Sequence, residues 1–370
     1  MSTTAMSASS ASSHGYKKLI LRSYEGYTYR DVSDHPARDC TDDEVPIVDL
    51  SGMFGDLEAR KAVAQSLLKA AETSGFFYIK NHGIDENVLL GAHHKAREFF
   101  RLPVEQKQKL STTESSYGYQ GLRSRQVNPS EGKDRKEVFN FHYEPQFDPV
   151  HKDQLSEVPA RVRKHIPNDF SAIWQPNGVE GFKEEVLAYW QACLSTAREL
   201  IRLVSLALDL PEDYFDRYTT YPGGDFGLVF YPGHGDEQIE NPDEVGIGAH
   251  TDLQILTLLW QDEHKGLQVL NSQNEWIFAP PIPGTLVVNI GDFLMRLTND
   301  RLKSTVHRVI QHGRDDRYSM PFFFGFNFDE KIAVVPTCTD ERNPPKYEPA
   351  TCGELIAKRL ALGNQPVKSS

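Results

Sequence analysis

Cysteine is scarce. Cys40, Cys193, Cys338 and Cys352 are scattered over 370 residues and form no C-x-x-C pair, a usage that fits a reducing compartment better than a disulfide scaffold. No stretch approaches the ~18 consecutive apolar residues of a membrane span. The N-terminus, MSTTAMSASSASSHG, lacks the apolar core of a signal peptide, and the terminal Val367-Lys368-Ser369-Ser370 is no peroxisomal address. Positive charge is not in excess either: 40 basic against 52 acidic residues give −12, which argues against a general affinity for nucleic acid or anionic membrane. These absences leave a cytoplasmic enzyme as the expectation. They leave the substrate open, because a local basic pocket survives in an acidic protein.

What is present is enough apolar material, 39% of residues, for a sizeable core. Residues 1 to about 15 have nothing to bury, and 1–44 as a whole is expected to be a disordered or extended N-terminal arm. From Val45 to Leu50 the chain predicts a first strand. Asp56 then caps a helix with Leu57, Val63, Leu67 and Ala71 on one face, Gly75 ends it, and Phe76–Lys80 is a strand. A second helix is expected at about 86–101. Residues 111–180 predict surface loops, including the charged run 130–137, and loops of this length serve as lids or as plain surface excursions. A long helix at about 181–209 buries Val186, Trp190, Leu194, Ala197, Ile201 and Val204. From about 225 onward, short apolar runs recur every 8–12 residues, as in a sandwich or barrel. The sum is an α+β fold: a jelly roll (double-stranded β-helix) braced by a long helix. It divides into an N-terminal helical region with substrate-covering loops at 45–220, a jelly-roll core at 221–336, and a C-terminal helix and tail at 337–370.

The chemistry concentrates between Gly246 and Ser319. In His250-Thr251-Asp252, side chains two apart converge on one face if the segment opens a strand. His307 lies in a second predicted strand, Ser304–Ile310. Two imidazoles and one carboxylate form a ligand set that leaves positions open on Fe(II). Zinc accepts the same donors, but a nearby anchor for an acid favours iron. That anchor is Arg317-Tyr318-Ser319: alternation puts Arg317 and Ser319 on one face and Tyr318, Met320, Phe322 and Phe324 on the other. A guanidinium fork binds a carboxylate bidentately, and a hydroxyl adds a donor.

With these motifs stand Gly266-Leu267-Gln268-Val269-Leu270, Trp276, Val287-Val288-Asn289-Ile290-Gly291-Asp292, Thr298-Asn299-Asp300 and Lys303–Val309. In this order they resemble the iron(II)/2-oxoglutarate-dependent dioxygenase family, which includes isopenicillin N synthase and plant and fungal oxygenases such as thymine 7-hydroxylase. The likeness covers about 45–335. It implies that His250, Asp252 and His307 ligate Fe(II), and that Arg317 and Ser319 bind the distal carboxylate of 2-oxoglutarate. Tyr231, in Phe230-Tyr231-Pro232, matches a family tyrosine that reaches the same carboxylate, although the Arg and Asn that often precede it in the family are absent. The activity implied is O₂-dependent oxidation of an unactivated C–H bond of a small organic molecule by hydroxylation, desaturation or ring formation. Succinate and CO₂ would be released, in a setting such as secondary metabolism. An alternative is an isopenicillin N synthase-like iron oxidase in which Arg317-x-Ser319 holds the substrate's own carboxylate. Candidate substrate walls are Tyr119, Arg123, Phe139, Phe141, Phe293, Arg296 and Phe324, with ordinary packing or exposed charge as the competing explanation for each. His234 is read as a turn residue rather than a ligand.

Overall fold

The computed structural model describes residues 15–112, 117–166, 171–236 and 244–363. The expectation of disorder over the first 14 residues lies outside them. Two antiparallel strands come first, β1 (Tyr16–Ser23) and β2 (Gly26–Ser33), so residues 16–33 of the expected extended arm are a hairpin. It folds because Leu19, Leu21 and Val32 pack against Ala249, Leu270 and Trp276. The N-terminal half continues with β3 (Arg38–Asp39), β4 (Ile47–Asp49), α1 (Leu57–Thr73), β5 (Phe76–Lys80) and α2 (Glu86–Phe100). Next come α3 (Val104–Gln108), β6 (Gly118–Gln120), β7 (Glu137–Phe141), α4 (Ala160–Arg163) and α5 (Phe182–Ala207). The sheet-rich half holds β8 (Pro222–Tyr231), β9 (Ile247–His250), β10 (Leu256–Gln261), β11 (Leu267–Leu270), β12 (Trp276–Phe278), β13 (Thr285–Ile290) and α6 (Asp292–Leu297). It ends with β14 (His307–Val309), β15 (Arg317–Asn327), β16 (Lys331–Ile332), β17 (Ala350–Thr351) and α7 (Cys352–Gly363).

Local chemistry explains the boundaries that matter. The Asp56 carboxylate accepts from the backbone N–H of Ala59 at 2.9 Å and starts α1. Gly75 ends it at φ +69°, and a Cβ there would lie 1.9 Å from the Lys303 carbonyl, so only glycine fits. No helix among the described residues is long and apolar enough to cross a membrane.

Among those residues, an eight-stranded sheet runs β4-β5-β13-β10-β15-β8-β7-β6 and faces a five-stranded one, β3-β12-β11-β14-β9. Between them lie Phe76, Tyr78, Val287, Leu267, Val269 and Ile277 at one end, and Val229, Tyr231 and Val309 at the other. The outer face of the larger sheet carries Leu256, Leu258, Phe226, Leu228, Met320 and Phe322 into the main core against α5. Trp190 of α5 donates its indole N–H to the Gly224 carbonyl at 3.1 Å. This is the expected jelly roll braced by a long helix.

The charged run 130–137 departs from expectation. Glu131 accepts from the N–H of Ala249 at 2.5 Å and Asp134 from that of Gly248 at 3.1 Å. These carboxylates satisfy the free N–H groups of β9, which ends its sheet. Asp134 is therefore only 1% exposed. The segment seals a sheet edge.

Candidate active site

β9 ends at His250, so the His250-Thr251-Asp252 segment closes a strand instead of opening one, and Asp252 lies in the turn beyond it. His307 opens β14, two strands of one sheet pairing His307 directly with His250. The imidazoles stand 4.3 Å apart, centroid to centroid. Asp252 Oδ1 lies 3.6 Å from His250 Nε2 and 3.7 Å from His307 Nε2. Donors on one first-row ion at ~2.1 Å each are separated by at most about 4.2 Å, so the three side chains fit a shared ion.

The other atom of each ligand is already spoken for. His250 Nδ1 bonds the Gly248 carbonyl at 2.8 Å and His307 Nδ1 the Thr305 carbonyl at 3.1 Å, which directs both Nε2 atoms inward. Asp252 Oδ2 accepts from the Thr257 hydroxyl at 2.5 Å and from Asn289 Nδ2 at 2.8 Å, leaving Oδ1 free. Burial and the adjacent His307 push the His250 imidazole well below its ordinary value, which favours the neutral ring with a lone pair to lend. For Asp252, burial works in the opposite direction. The neighbouring His307 and His250, with the hydrogen bonds from Thr257 and Asn289, outweigh it and hold the carboxyl below its ordinary value.

The turn itself is clamped from both chain ends. The Tyr24 hydroxyl donates to the Leu253 carbonyl. Arg359 of α7 reaches Asp292 at 3.3 Å, and Asp292 accepts from Thr251 at 3.0 Å and from Ser304 at 2.6 Å. Asn289 and Asp292 stand in a motif already legible in the sequence, without a role; Thr257 and Arg359 carried no such mark. Asn289 had a legible signal: it is a polar residue at an inward position of an otherwise apolar strand.

Arg317 and Ser319 share the inner face of β15, as alternation predicts, and Arg317 pairs across the sheet with Tyr231. Its guanidinium lies 4.9 Å from the Tyr231 ring. Nε donates to the His264 carbonyl at 3.2 Å and Nη2 to Gln261 at 3.0 Å. Nη1 is buried and has no partner, in a residue that is 0% exposed. Gly266 makes room for it, since a Cβ there would sit 2.8 Å from Nε. Burial raises the Tyr231 hydroxyl above its ordinary value, opposed by Arg317 and Ser319, so it remains a protonated donor. The donor set is that of an anion anchor.

The candidate substrate walls are corrected. Phe139 and Phe141 of β7 and Phe324 of β15 face α5 on the outer side of the sheet, within the main core. The same alternation that turned Arg317 inward turned Phe324 away. Phe293 packs edge-on against Phe326, centroids 6.1 Å apart. Tyr119 is buried on that outer side too, its hydroxyl donating to Glu137 at 2.7 Å. Arg123 is half exposed and pairs with Glu244. Arg296 stacks on Tyr347 and donates to the Glu348 carbonyl at 2.9 Å. His234 sits in a loop with its Nε2 3.2 Å from the Gln311 carbonyl, away from the three ligands.

A jelly roll with two imidazoles and a carboxylate beside a buried, unsatisfied guanidinium defines the non-haem iron oxygenase class. Residues 45–168 match the family described as non-haem dioxygenase in morphine synthesis N-terminal, and residues 218–326 the 2OG-Fe(II) oxygenase superfamily. The 2-oxoglutarate-Fe(II) type oxidoreductase ppzC of Metarhizium majus is 39% identical over 93% of this chain and 94% of its own. A homoarginine-6-hydroxylase of Arabidopsis thaliana is 33% identical over 87% and 95%. The crystal structure of a full-length Neurospora crassa protein in complex with alpha-KG superposes with a TM-score of 0.72 at 28% identity, covering 88% of this chain and 99% of that one. The chain belongs to the 2OG-Fe(II) oxygenase superfamily. It is a 2-oxoglutarate-dependent Fe(II) dioxygenase with Fe(II), 2-oxoglutarate and O₂ as its cofactor and cosubstrates. The alternative of an oxidase that dispenses with 2-oxoglutarate is not favoured.

Proposed function

We propose that His250, Asp252 and His307 hold the ferrous ion, that Arg317, Ser319 and Tyr231 hold the distal carboxylate of 2-oxoglutarate, and that the enzyme oxidises a C–H bond of a small organic molecule. The observation that carries the reading is Arg317 Nη1, a buried cationic N–H with no acceptor. A buried donor left unmade costs roughly 1–3 kcal/mol, and a carboxylate is the partner that recovers it. When bound, the iron and 2-oxoglutarate supply the oxidising power, with succinate and CO₂ as by-products.

The chain's own residues supply geometry and dryness. Gly248 and Thr305 fix the two imidazole tautomers through their carbonyls. Thr257 and Asn289 keep one Asp252 oxygen pinned so that the other faces the ion. Arg317 is held by Gln261 and the His264 carbonyl before any ligand arrives, so binding costs little reorganisation. Phe76 packs edge-on to His307, centroids 5.1 Å apart, and excludes water from that side.

A small-molecule substrate is supported by the relatives: a homoarginine-6-hydroxylase, and the Neurospora crassa protein, which was also solved with thymine. Secondary metabolism is supported by the morphine-synthesis family matched at 45–168 and by an azadirone synthase of Melia azedarach, 33% identical over 80% of this chain. Four unpaired cysteines support a reducing compartment such as the cytoplasm. The test is anaerobic addition of Fe(II) and 2-oxoglutarate, read as the visible charge-transfer absorbance of the chelate. His250→Ala and Asp252→Ala are expected to lose both the absorbance and succinate formation. Full activity in either variant refutes the assignment.

A further inference from the structure

We infer that the substrate chamber reads a cationic nitrogen, an amine or a guanidinium, through Asp225. The inference rests on the active-site reading above and adds the class of substrate to it.

In β8 the side chains of Asp225, Val229 and Tyr231 share the inner face, and Tyr231 is the one beside Arg317. Register carries Asp225 to Phe323 of β15, Phe323 to Thr257 of β10, and Thr257 to Asn289 of β13. The last two are the residues that pin Asp252. Two strand spacings, roughly 10 Å, separate Thr257 from Asp225. Along β15, four residues, roughly 13 Å, separate Phe323 from Ser319. Asp225 thus faces the same interior as the metal ligands, displaced along the sheet from the 2-oxoglutarate anchor.

The carboxylate is built in. His142, just past β7, meets it through Nδ1. Gln254 donates Nε2 to its Oδ2 at 3.2 Å. Glycines seat Gln254: a Cβ on Gly325 would lie 1.6 Å, and one on Gly223 2.3 Å, from its Oε1. Tyr117 stands edge-on to His142 with ring centroids 3.7 Å apart. Even so, Asp225 keeps 29% of its side chain exposed.

What it lacks is a permanent counter-ion: its one ionisable partner among the described residues is the His142 ring. Several other carboxylates of the chain have one: Asp148 meets Arg198, Asp292 meets Arg359, Glu137 meets Lys107, and Glu131 meets Arg308. Among the described residues, no arginine or lysine pairs with Asp225. A carboxylate fixed by an amide and an imidazole, beside aromatic rings and without an arginine or lysine partner, is complementary to a cation. A neutral N–H donor gains the hydrogen bond without the charge assistance.

The experiment uses the full chain with Fe(II) and 2-oxoglutarate, anaerobically, at a pH of about 8, where alkylguanidines are cationic. Calorimetric titration compares n-butylguanidine with its neutral isostere n-butylurea. The guanidine is expected to bind about tenfold tighter or more. Asp225→Asn, with the circular dichroism of the parent, is expected to lose that preference. Equal affinities, no binding of the guanidine, or a preference that survives in Asp225→Asn overturns the inference, and the parent comparison decides it even if the variant does not fold. Absence of the iron–2-oxoglutarate absorbance before any probe is added instead overturns the active-site reading, and this inference with it.

Discussion

Replacing Arg317 with methionine keeps an unbranched stem in the space that Gly266 leaves and removes the guanidinium. In the ligand-free protein the loss is small, because Nη1 bonds nothing and only the contacts to Gln261 and the His264 carbonyl disappear. In the 2-oxoglutarate complex the loss is that of a charge-assisted pair in a residue 0% exposed to solvent. Truncating one side of such a pair costs about 2–4 kcal/mol, or roughly 30- to 1000-fold in affinity. Ser319→Ala removes only a neutral hydroxyl and is expected to cost about 1 kcal/mol, roughly fivefold. The assay is anaerobic titration of 2-oxoglutarate into the Fe(II) protein, followed by charge-transfer absorbance, with iron affinity measured separately. The Kd for 2-oxoglutarate is expected to rise steeply in Arg317→Met at unchanged iron affinity, and far more than in Ser319→Ala. An Arg317→Met protein within threefold of the parent, or one that loses iron in equal measure, refutes this expectation.

Asn289→Leu takes one of two donors from Asp252 Oδ2, and iron affinity is expected to fall about 10- to 100-fold by equilibrium competition with a chelator, with the fold intact. Glu144 is 0% exposed and accepts from the Trp174 indole at 2.6 Å; burial pushes its carboxyl up to about 7. Since the folded protein holds that proton more tightly than the unfolded chain, whose glutamates titrate near 4.3, the contribution to stability is full below about 4.3 and is lost as pH rises through about 7. Glu144→Gln keeps the acceptor and is expected to abolish that decline, of order 1–3 kcal/mol, in urea midpoints compared at pH values of about 5 and 8; identical pH profiles refute it. Gly75→Ala forces a left-handed residue against the Lys303 carbonyl and is expected to cost at least about 2 kcal/mol in the same urea assay, beside a strand whose Phe76 touches His307.

The sequence showed most clearly what depends on near neighbours. Asp56, the Val63–Leu67–Ala71 stripe, Gly75 and Phe76–Lys80 define α1 and β5 because capping, period and turn chemistry act within a few residues. The 26 residues of α5 were legible for the same reason. Residues 111–180 were not. Glu131 and Asp134 look like solvated charges until β9 is known to end its sheet and to need acceptors for its N–H groups. Phe139 and Phe141 look like pocket aromatics until pairing with β8 decides which face of β7 meets α5.

The sequence by itself determined the chemistry available: two imidazoles, a carboxylate and an anion-binding Arg-x-Ser, in residue types and spacings that short-range geometry can interpret. Only the tertiary structure decided how they are used. Asp252 gains its two pinning donors, Arg317 its sheltered and unpaired nitrogen, and Asp225 its place in the chamber from strands distant in the chain. Sheet register assigns those neighbours, and register is set by the packing of the whole core.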